Sequence, residues 1–326
     1  MMGKSALLIG IAVLITISDS LAQTCCSGGV PLSGNIGMPV KSMGSLQVSV
    51  NYDLNVLNTL KDGTTKLNDN TRKRKTHSLM GQIGYSFTEN ISSEVFFSYV
   101  RQERIIQSPL VGQGPNVTTT NGLGDAVILV KHRVFKDFHL GLGLKAPLGP
   151  SDLTSEIGIP LNADLQPGSG AWDVIYWVGG NQSLKLRPSM SIVGSAIYRA
   201  TGKNDSYFGN QTYQFGNETQ VNIGIADQVE LAGLILNPSL TFNYRHVDPD
   251  KNKADNISDL SDVPSTGGEW LFVRPAIAYY VNTDTYFQAN VQIPVYAALV
   301  QTQVTPTYRI NLGLSFTIKT KKNDEI

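Results

Sequence analysis

From Ser45 the chain alternates with a period of two: Leu46, Val48, Val50, Tyr52 and Leu54 fall on one face, and Ser45, Gln47, Ser49, Asn51 and Asp53 on the other. That spacing codes for a strand with one apolar and one polar side. The signature recurs near residues 77–87, 91–104, 123–134, 138–147, 171–183, 189–200, 218–228, 231–246, 269–280, 285–296 and 306–318, which makes twelve strands and no convincing helix. Many runs reach ten to fourteen residues, whereas strands of soluble proteins cluster at about five or six. About nine to eleven tilted residues cross a hydrocarbon layer.

A soluble sandwich also alternates, so the connections arbitrate. Longer segments near 57–76, before Gly122, at 148–170, 201–213, 248–268 and 298–305 take turns with short ones at 88–90, 136–137, 185–187, around Gln228 and at 282–284. Long loops on one end, short turns on the other and an even strand number are the arrangement of an outer-membrane barrel. In lipid every backbone donor must be paired, so such a sheet must close on itself. The expected fold is all-β, a closed antiparallel transmembrane β-barrel of about 12 strands. Tyr85 and Phe87, Phe135 and Phe138, Tyr279 and Tyr280, and Tyr286 and Phe287 cluster at strand ends, where interfacial girdles belong.

Composition removes the competitors. Only 16% of residues are charged, against roughly 25% in soluble domains. Zero net charge removes the basic footprint of a nucleic-acid binder. After residue 22 no apolar run approaches the ~18 residues of a spanning helix. At the N-terminus, Lys4, the apolar stretch from Ala6 to Ile17 and Ser20-Leu21-Ala22 read as a secretory signal over 1–22, cleaved before Gln23. The Gly-, Ser- and Pro-rich segment 23–44 reads as a leader or a plug in the pore, 45–318 as the barrel, and 319–326 as a charged tail. Cys25 and Cys26 are adjacent and cannot form a disulfide framework. The expected location is the outer membrane of a Gram-negative bacterium.

Two local patterns add detail. Asn311, Gly313, Phe316 and Ile318 in the last strand fit the polar-x-Gly-x-x-aromatic-x-apolar insertion signal of outer-membrane barrels, which implies the barrel-assembly machinery as a partner. The stretch Gly122-Leu123-Gly124-Asp125-Ala126-Val127-Ile128-Leu129-Val130-Lys131-His132-Arg133, followed by Leu140-Gly141-Leu142-Gly143-Leu144-Lys145-Ala146-Pro147-Leu148-Gly149, resembles outer-membrane transporters of the phenol-degradation meta-pathway type. His132 stands where that family has Tyr, and Leu148 where it has Thr. The resemblance covers about thirty residues and implies a transport-type barrel without naming the substrate.

With the apolar faces assigned to lipid, the lumen receives Asp53, Glu94, Asp125, Lys131, Arg133, Lys145, Asp173, Arg199, Arg245, Arg274 and Arg309, joined by Gln82, Asn222, Asn243, Gln288, Asn290 and Gln292. Basic members outnumber acidic ones, a mild preference for anionic or polar solutes, and the expected function is a channel or transporter passing a small polar, anionic or aromatic solute by passive or facilitated diffusion. The bland reading of the same residues is a salt-bridged filling, with Asp125 paired to Lys131 or Arg133. A structural or adhesive barrel without transport is the main alternative. An outer-membrane lipid hydrolase is disfavoured because none of His77, His132, His139 and His246 has a serine two residues on along its face, so no enzyme is expected. Asp248, Asp250, Asn252 and Asp259 echo a calcium loop, although Lys253 replaces the required Gly. No other cofactor is indicated, and the remaining expected partners are membrane lipids and the solute.

Overall fold

A computed structural model describes residues 43–107, 114–209, 211–253 and 259–319. The signal over 1–22, Cys25 and Cys26, all but the last two residues of the 23–44 segment, and the tail beyond Lys319 lie outside the described residues. The described chain forms a barrel of twelve antiparallel strands: β1 (Ser45–Leu57), β2 (Arg72–Ser86), β3 (Ile91–Ile106), β4 (Asn116–Leu123 and Ala126–Phe135), β5 (Phe138–Ala146), β6 (Asp173–Leu184), β7 (Arg187–Ala200), β8 (Glu218–Ala226 and Val229–Leu231), β9 (Leu234–Val247), β10 (Gly268–Tyr280), β11 (Thr285–Leu299) and β12 (Tyr308–Lys319). Each strand pairs with the next, and β12 closes on β1 with Ser49 opposite Ser315 and Asn51 opposite Gly313. No edge is left unpaired, which removes the sheet's exposed donors and acceptors.

The period-two pattern sorts the faces. Outward go Val50, Leu79, Phe97, Ile128, Leu142, Ile223, Phe242, Ile277 and Phe316, all exposed although apolar. Inward go Ser49, Asn51, Asp53, Glu94, Lys131, Asp173, Arg199, Asn243 and Asn311, all buried although polar. This inversion suits a wall that meets lipid. Phe87, Phe135, Phe138 and Phe287 ring the short-turn end, and Tyr52, Tyr99, Trp172, Tyr198, Tyr244, Tyr296 and Tyr308 ring the loop end.

Three departures from the sequence reading have local causes. β2 begins at Arg72 rather than near 77, because in its first turn of pleat the alternation is carried by charges: Arg74 is buried inside and Lys75 is exposed outside. β4 extends up to Asn116 through a Thr- and Asn-rich run with little apolar alternation, and it breaks at Gly124 and Asp125. There the Gly124 amide donates to the Ser98 carbonyl at 2.8 Å, and a Cβ would collide with the Ser98 side chain. Finally, the 148–170 segment does not stay wholly outside the barrel; residues 156–160 are exposed, and the 161–169 stretch folds in.

Two small sheets crown the loop end. One joins Thr59–Asp62, Thr65–Lys66 and Thr302–Thr305; the other joins Asn204–Tyr207, Gln211–Gln214, Lys251–Lys253 and Ser261–Asp262. The second packs Tyr207, Tyr213 and Phe215 onto Ala163 of the inward-folded segment.

Candidate functional site: the barrel interior

Six inward charges of alternating sign run strand to strand near the loop end. Asp125, at the break in β4, meets Lys145 of β5 at 3.1 Å; Lys145 meets Asp173 of β6 at 2.8 Å; Arg199 of β7 lies 3.9 Å from Asp173 and 2.8 Å from Glu218 of β8; Glu218 accepts from Arg245 of β9 at 2.6 Å. All but Arg245 are almost wholly buried. Each strand contributes one member, so the belt ties six neighbours together as well as neutralising itself. Beneath it, Phe96, Val127, Leu129, Ile175, Trp177 and Ile197 form an apolar cluster inside the barrel. Lys131 and Glu94 pair at 2.8 Å, with the ammonium 4.4 Å from the centre of the Trp177 ring.

The expected pairing of Asp125 with Lys131 or Arg133 is therefore replaced by other partners. Lys131 is six residues from Asp125 on the same strand, a separation of about 20 Å at 3.3 Å per residue. Neighbouring strands supply the partners instead. Arg133, at the turn end, donates to Asn90 at 3.2 Å and lies 3.8 Å from Glu89.

The inward-folded segment docks on this same side. Asp164, in a short 3-10 turn, pairs with buried Arg74 of β2 at 2.8 Å. Arg74 also donates to Gln102 and to the Asp164 carbonyl. Thr120 donates to the Leu165 carbonyl at 2.7 Å, and Gln102 donates to that of Gln166 at 3.4 Å. Gln166 is bonded back to Leu153 and Leu161, which holds the fold of the segment.

Its anchor is built from the stretch that carries the family resemblance. Asp125 accepts from the amides of Gly149 (3.2 Å) and Ser169 (3.0 Å) and from the Ser169 hydroxyl (2.6 Å); Lys145 donates to that hydroxyl too. Gly149 must be glycine because the segment returns across it: a Cβ there would stand 2.7 Å from the Gly168 Cα. Gly122 lies against Pro150 and Pro167, each 3.1 Å from where its Cβ would be. The Gly-Leu-Gly-Asp and Lys-x-Pro-x-Gly residues thus form a mortise for the inward-folded 148–170 segment, a plug distinct from the 23–44 segment.

From β9 round to β1 the lining is different, and its amide network reaches back below the charge belt to Asn222 of β8 and Ser195 of β7. Asn222 donates to Ser195 at 3.2 Å, Asn243 to Asn222 at 2.8 Å, Gln292 to Asn243 at 3.3 Å, Gln288 to Asn51 at 2.9 Å and Asn290 to Asn311 at 3.3 Å. Arg309 is held by Asp53 at 2.7 Å. Arg274 of β10 points inward and is half-buried. It has no ion pair and no hydrogen bond among the described residues, and its charged neighbour is another cation, Arg309. At the loop end this wall is packed by Val247, Trp270, Phe272, Ala297 and Leu299.

The other sequence candidates sort plainly. In β12, Asn311 and Gly313 face in and Phe316 and Ile318 face out; Gly313 is held to glycine size by Asn51 and Gln288. Asp248, Asp250, Asn252 and Asp259 do not converge. Lys251–Lys253 is an extended strand paired with Gln211–Gln214 and Ser261–Asp262, so it cannot wrap an ion. Asp248 turns to His246 and Asn217, and Asp250 accepts from the Tyr213 hydroxyl at 2.6 Å and the Gly216 amide at 2.8 Å. Burial pushes the Asp250 carboxyl up to about 6, and raises the Tyr213 phenol as well. No group of three or more metal-ligating side chains gathers among the described residues. His77 is bonded to Tyr52, and His246 lies near Asp248 and Glu269.

No protein-family model matches the chain and no curated protein matches it. Among solved structures it is similar to an outer-membrane channel from Pseudomonas putida F1, with 16% identity and a TM-score of 0.60 over 89% of this chain and 100% of that one. It also aligns with the beta domain of the Bordetella autotransporter BrkA, with 10% identity and a TM-score of 0.48 over 85% and 100%. For the CymD monoaromatic hydrocarbon channel the values are 7% and 0.44 over 90% and 98%. The first of these likenesses shows the fold, an outer-membrane β-barrel, in keeping with the class of protein that the 122–149 stretch resembles.

Proposed function

We propose that the barrel sits in an outer membrane with its long loops outward and passes small polar or anionic solutes by diffusion along the β9–β1 wall. One observation carries this reading: Arg274 is an inward, half-buried guanidinium without a partner among the described residues, set in a lining of uncharged amides. A packing role asks a buried charge to be paired, as Lys131, Lys145 and Arg199 are. An unpaired cation in a confined, low-dielectric lumen concentrates anions instead. The amides around it offer donors and acceptors to whatever moves past.

The inward-folded segment narrows the opposite side and leaves the amide-lined wall as the route. A structural barrel without transport would need no such asymmetry. The test is a planar bilayer holding the purified protein in a potassium chloride gradient. The expected result is a small conductance whose reversal potential marks chloride as the preferred ion. A barrel that carries no current, or one that prefers potassium, would overturn the reading.

A further inference from the structure

The outward face raises a separate question where β2 and β3 reach the loop end. Lys73, Lys75 and His77 project from the outer side of β2, since Arg74 between them points in. Arg101 projects from the outer side of β3, two residues beyond the exposed Tyr99. In the register His77 stands opposite Arg101 and Lys75 opposite Glu103. Directly opposed side chains are about 5 Å apart at Cβ and diagonal ones about 7–8 Å, so Lys75, His77 and Arg101 converge on one patch. Lys73, Lys75 and Arg101 make no ion pair among the described residues, and Glu103 does not neutralise them.

The level of the patch matters. Tyr52 lies opposite Leu79 and bonds His77 at 2.7 Å, and Asn121 bonds the Tyr99 hydroxyl at 3.1 Å. Both tyrosines belong to the loop-end girdle, so the cations begin one side-chain repeat, about 7 Å, beyond it. That is headgroup depth, not hydrocarbon, where a lysine would be costly. On the far wall the outer face of the loop end carries acids instead. β9 and β10 present His246 and Glu269 there, with Asp248 just beyond. A basic patch on one side and an acidic one on the other make a specific charge arrangement rather than a general dressing of the rim.

We infer that Lys73, Lys75, His77 and Arg101 form a binding site for the phosphate of a lipid headgroup in the leaflet that faces the long loops. Two cations at diagonal spacing can share one phosphate's oxygens, and guanidinium can take two of them at once. The Tyr52 and Tyr99 rings beneath give the acyl chains an aromatic shelf. The inference rests on the membrane placement proposed above and is independent of what the lumen conducts.

The experiment titrates the full-length protein, in a neutral detergent, with bisphosphorylated lipid A and with the same lipid stripped of its phosphates. Retained lipid is counted by native mass spectrometry. The phosphorylated form should bind more tightly, and Lys75→Gln with Arg101→Gln should lose roughly 25-fold, about 5-fold for each cation. Glu103→Gln, which removes the one acid of the patch, should tighten binding. Glu269→Gln on the far wall should change nothing. Heat-modifiability on gels checks that each variant still folds. Equal binding of the two lipids, or a double variant that keeps the preference, would overturn the site, as would inorganic phosphate displacing the lipid at low millimolar concentration. None of these readouts depends on conductance, so a silent bilayer record and a lost lipid preference remain separate failures.

Discussion

From β3 to β8 the barrel interior is packed shut: a belt of alternating charges lies over an apolar cluster, and the 148–170 segment is pinned at its edge. From β9 round to β1 the same alternation places amides and hydroxyls inside, together with a single Arg309–Asp53 pair and with Arg274, which has no partner among the described residues. Both walls read alike as polar-in, apolar-out. They differ in what the polar groups do to one another. Acids and bases on adjacent strands cancel and dehydrate, which turns half of a lumen into a core. Amides pair with one another through single hydrogen bonds and keep spare donors and acceptors, which is what the proposed path requires. On the proposed reading, complementarity across strands, not polarity within one, decides whether a barrel interior is a core or a path.

The largest expected effect lies in the filled wall. Asp125→Asn removes the charge that faces Lys145 while the anchor still needs three hydrogen bonds accepted. Breaking a buried pair from one side costs about 3–5 kcal/mol when the partner is left uncompensated; Lys145 keeps Asp173, so the loss lies at the lower end of that range and the urea midpoint should still fall. Conductance should rise as the segment loosens. An unchanged midpoint would mean that the belt contributes little and that the contrast between the walls is weaker than drawn.

The crown over the filled wall should respond to pH. Asp250 has an ordinary carboxyl value of 3.8 when unfolded and about 6 in place, raised chiefly by burial. A raised folded value means that the protonated form is favoured in the closed crown. Its contribution is complete below about pH 4 and is lost as pH climbs through about 6, a change of about 3 kcal/mol at 1.36 kcal/mol per unit. Hydrogen-exchange protection factors, which divide out the intrinsic pH dependence of amide exchange, should be higher across Asn204–Tyr207 and Gln211–Gln214 at about pH 5 than at about pH 8. Asp250→Asn should abolish the difference; a crown equally protected at both pH values in the native chain would contradict it.

A smaller effect is expected at the edge of the plug. Thr120→Val keeps the shape and removes the hydroxyl that donates to the Leu165 carbonyl. Leaving that buried acceptor unmet should cost about 1–3 kcal/mol, seen as a modest drop in the urea midpoint and more frequent brief openings in single-channel records. Stable, unflickering records would show that the segment is held by Asp164 and Asp125 alone.

How far the sequence reaches can be judged from particular residues. The twelve strands, their faces and the sorting of loops were legible because period two reports directly on which side of a sheet a residue lies. The inward placement of Asp173, Arg199 and Arg274 followed from that parity. Partners did not, because pairing depends on register between strands, and Asp125 found Lys145 on the next strand rather than Lys131 on its own. Nor was the role of Asp164, Gln166 and Ser169 legible: a long segment between two strands reads as an outer loop. The one trace of its descent was the glycine pair Gly149 and Gly168, whose backbones touch only once the segment has folded in. The calcium-like spacing misled for the opposite reason, since alternation along Lys251–Lys253 sends its side chains apart.

The central claim is that Arg274 belongs to a path and the charges of the other wall to a core. Reversal potential in a potassium chloride gradient, read beside the urea midpoint, separates the two directly. Arg274→Gln should move the reversal potential toward potassium and leave the midpoint where it was. Glu94→Gln, which takes the carboxylate away from buried Lys131 in the filled wall, should lower the midpoint and leave ion preference alone. If instead Arg274→Gln destabilises the barrel with its selectivity intact, Arg274 is packing, and the account of the β9–β1 wall as a conduit is wrong.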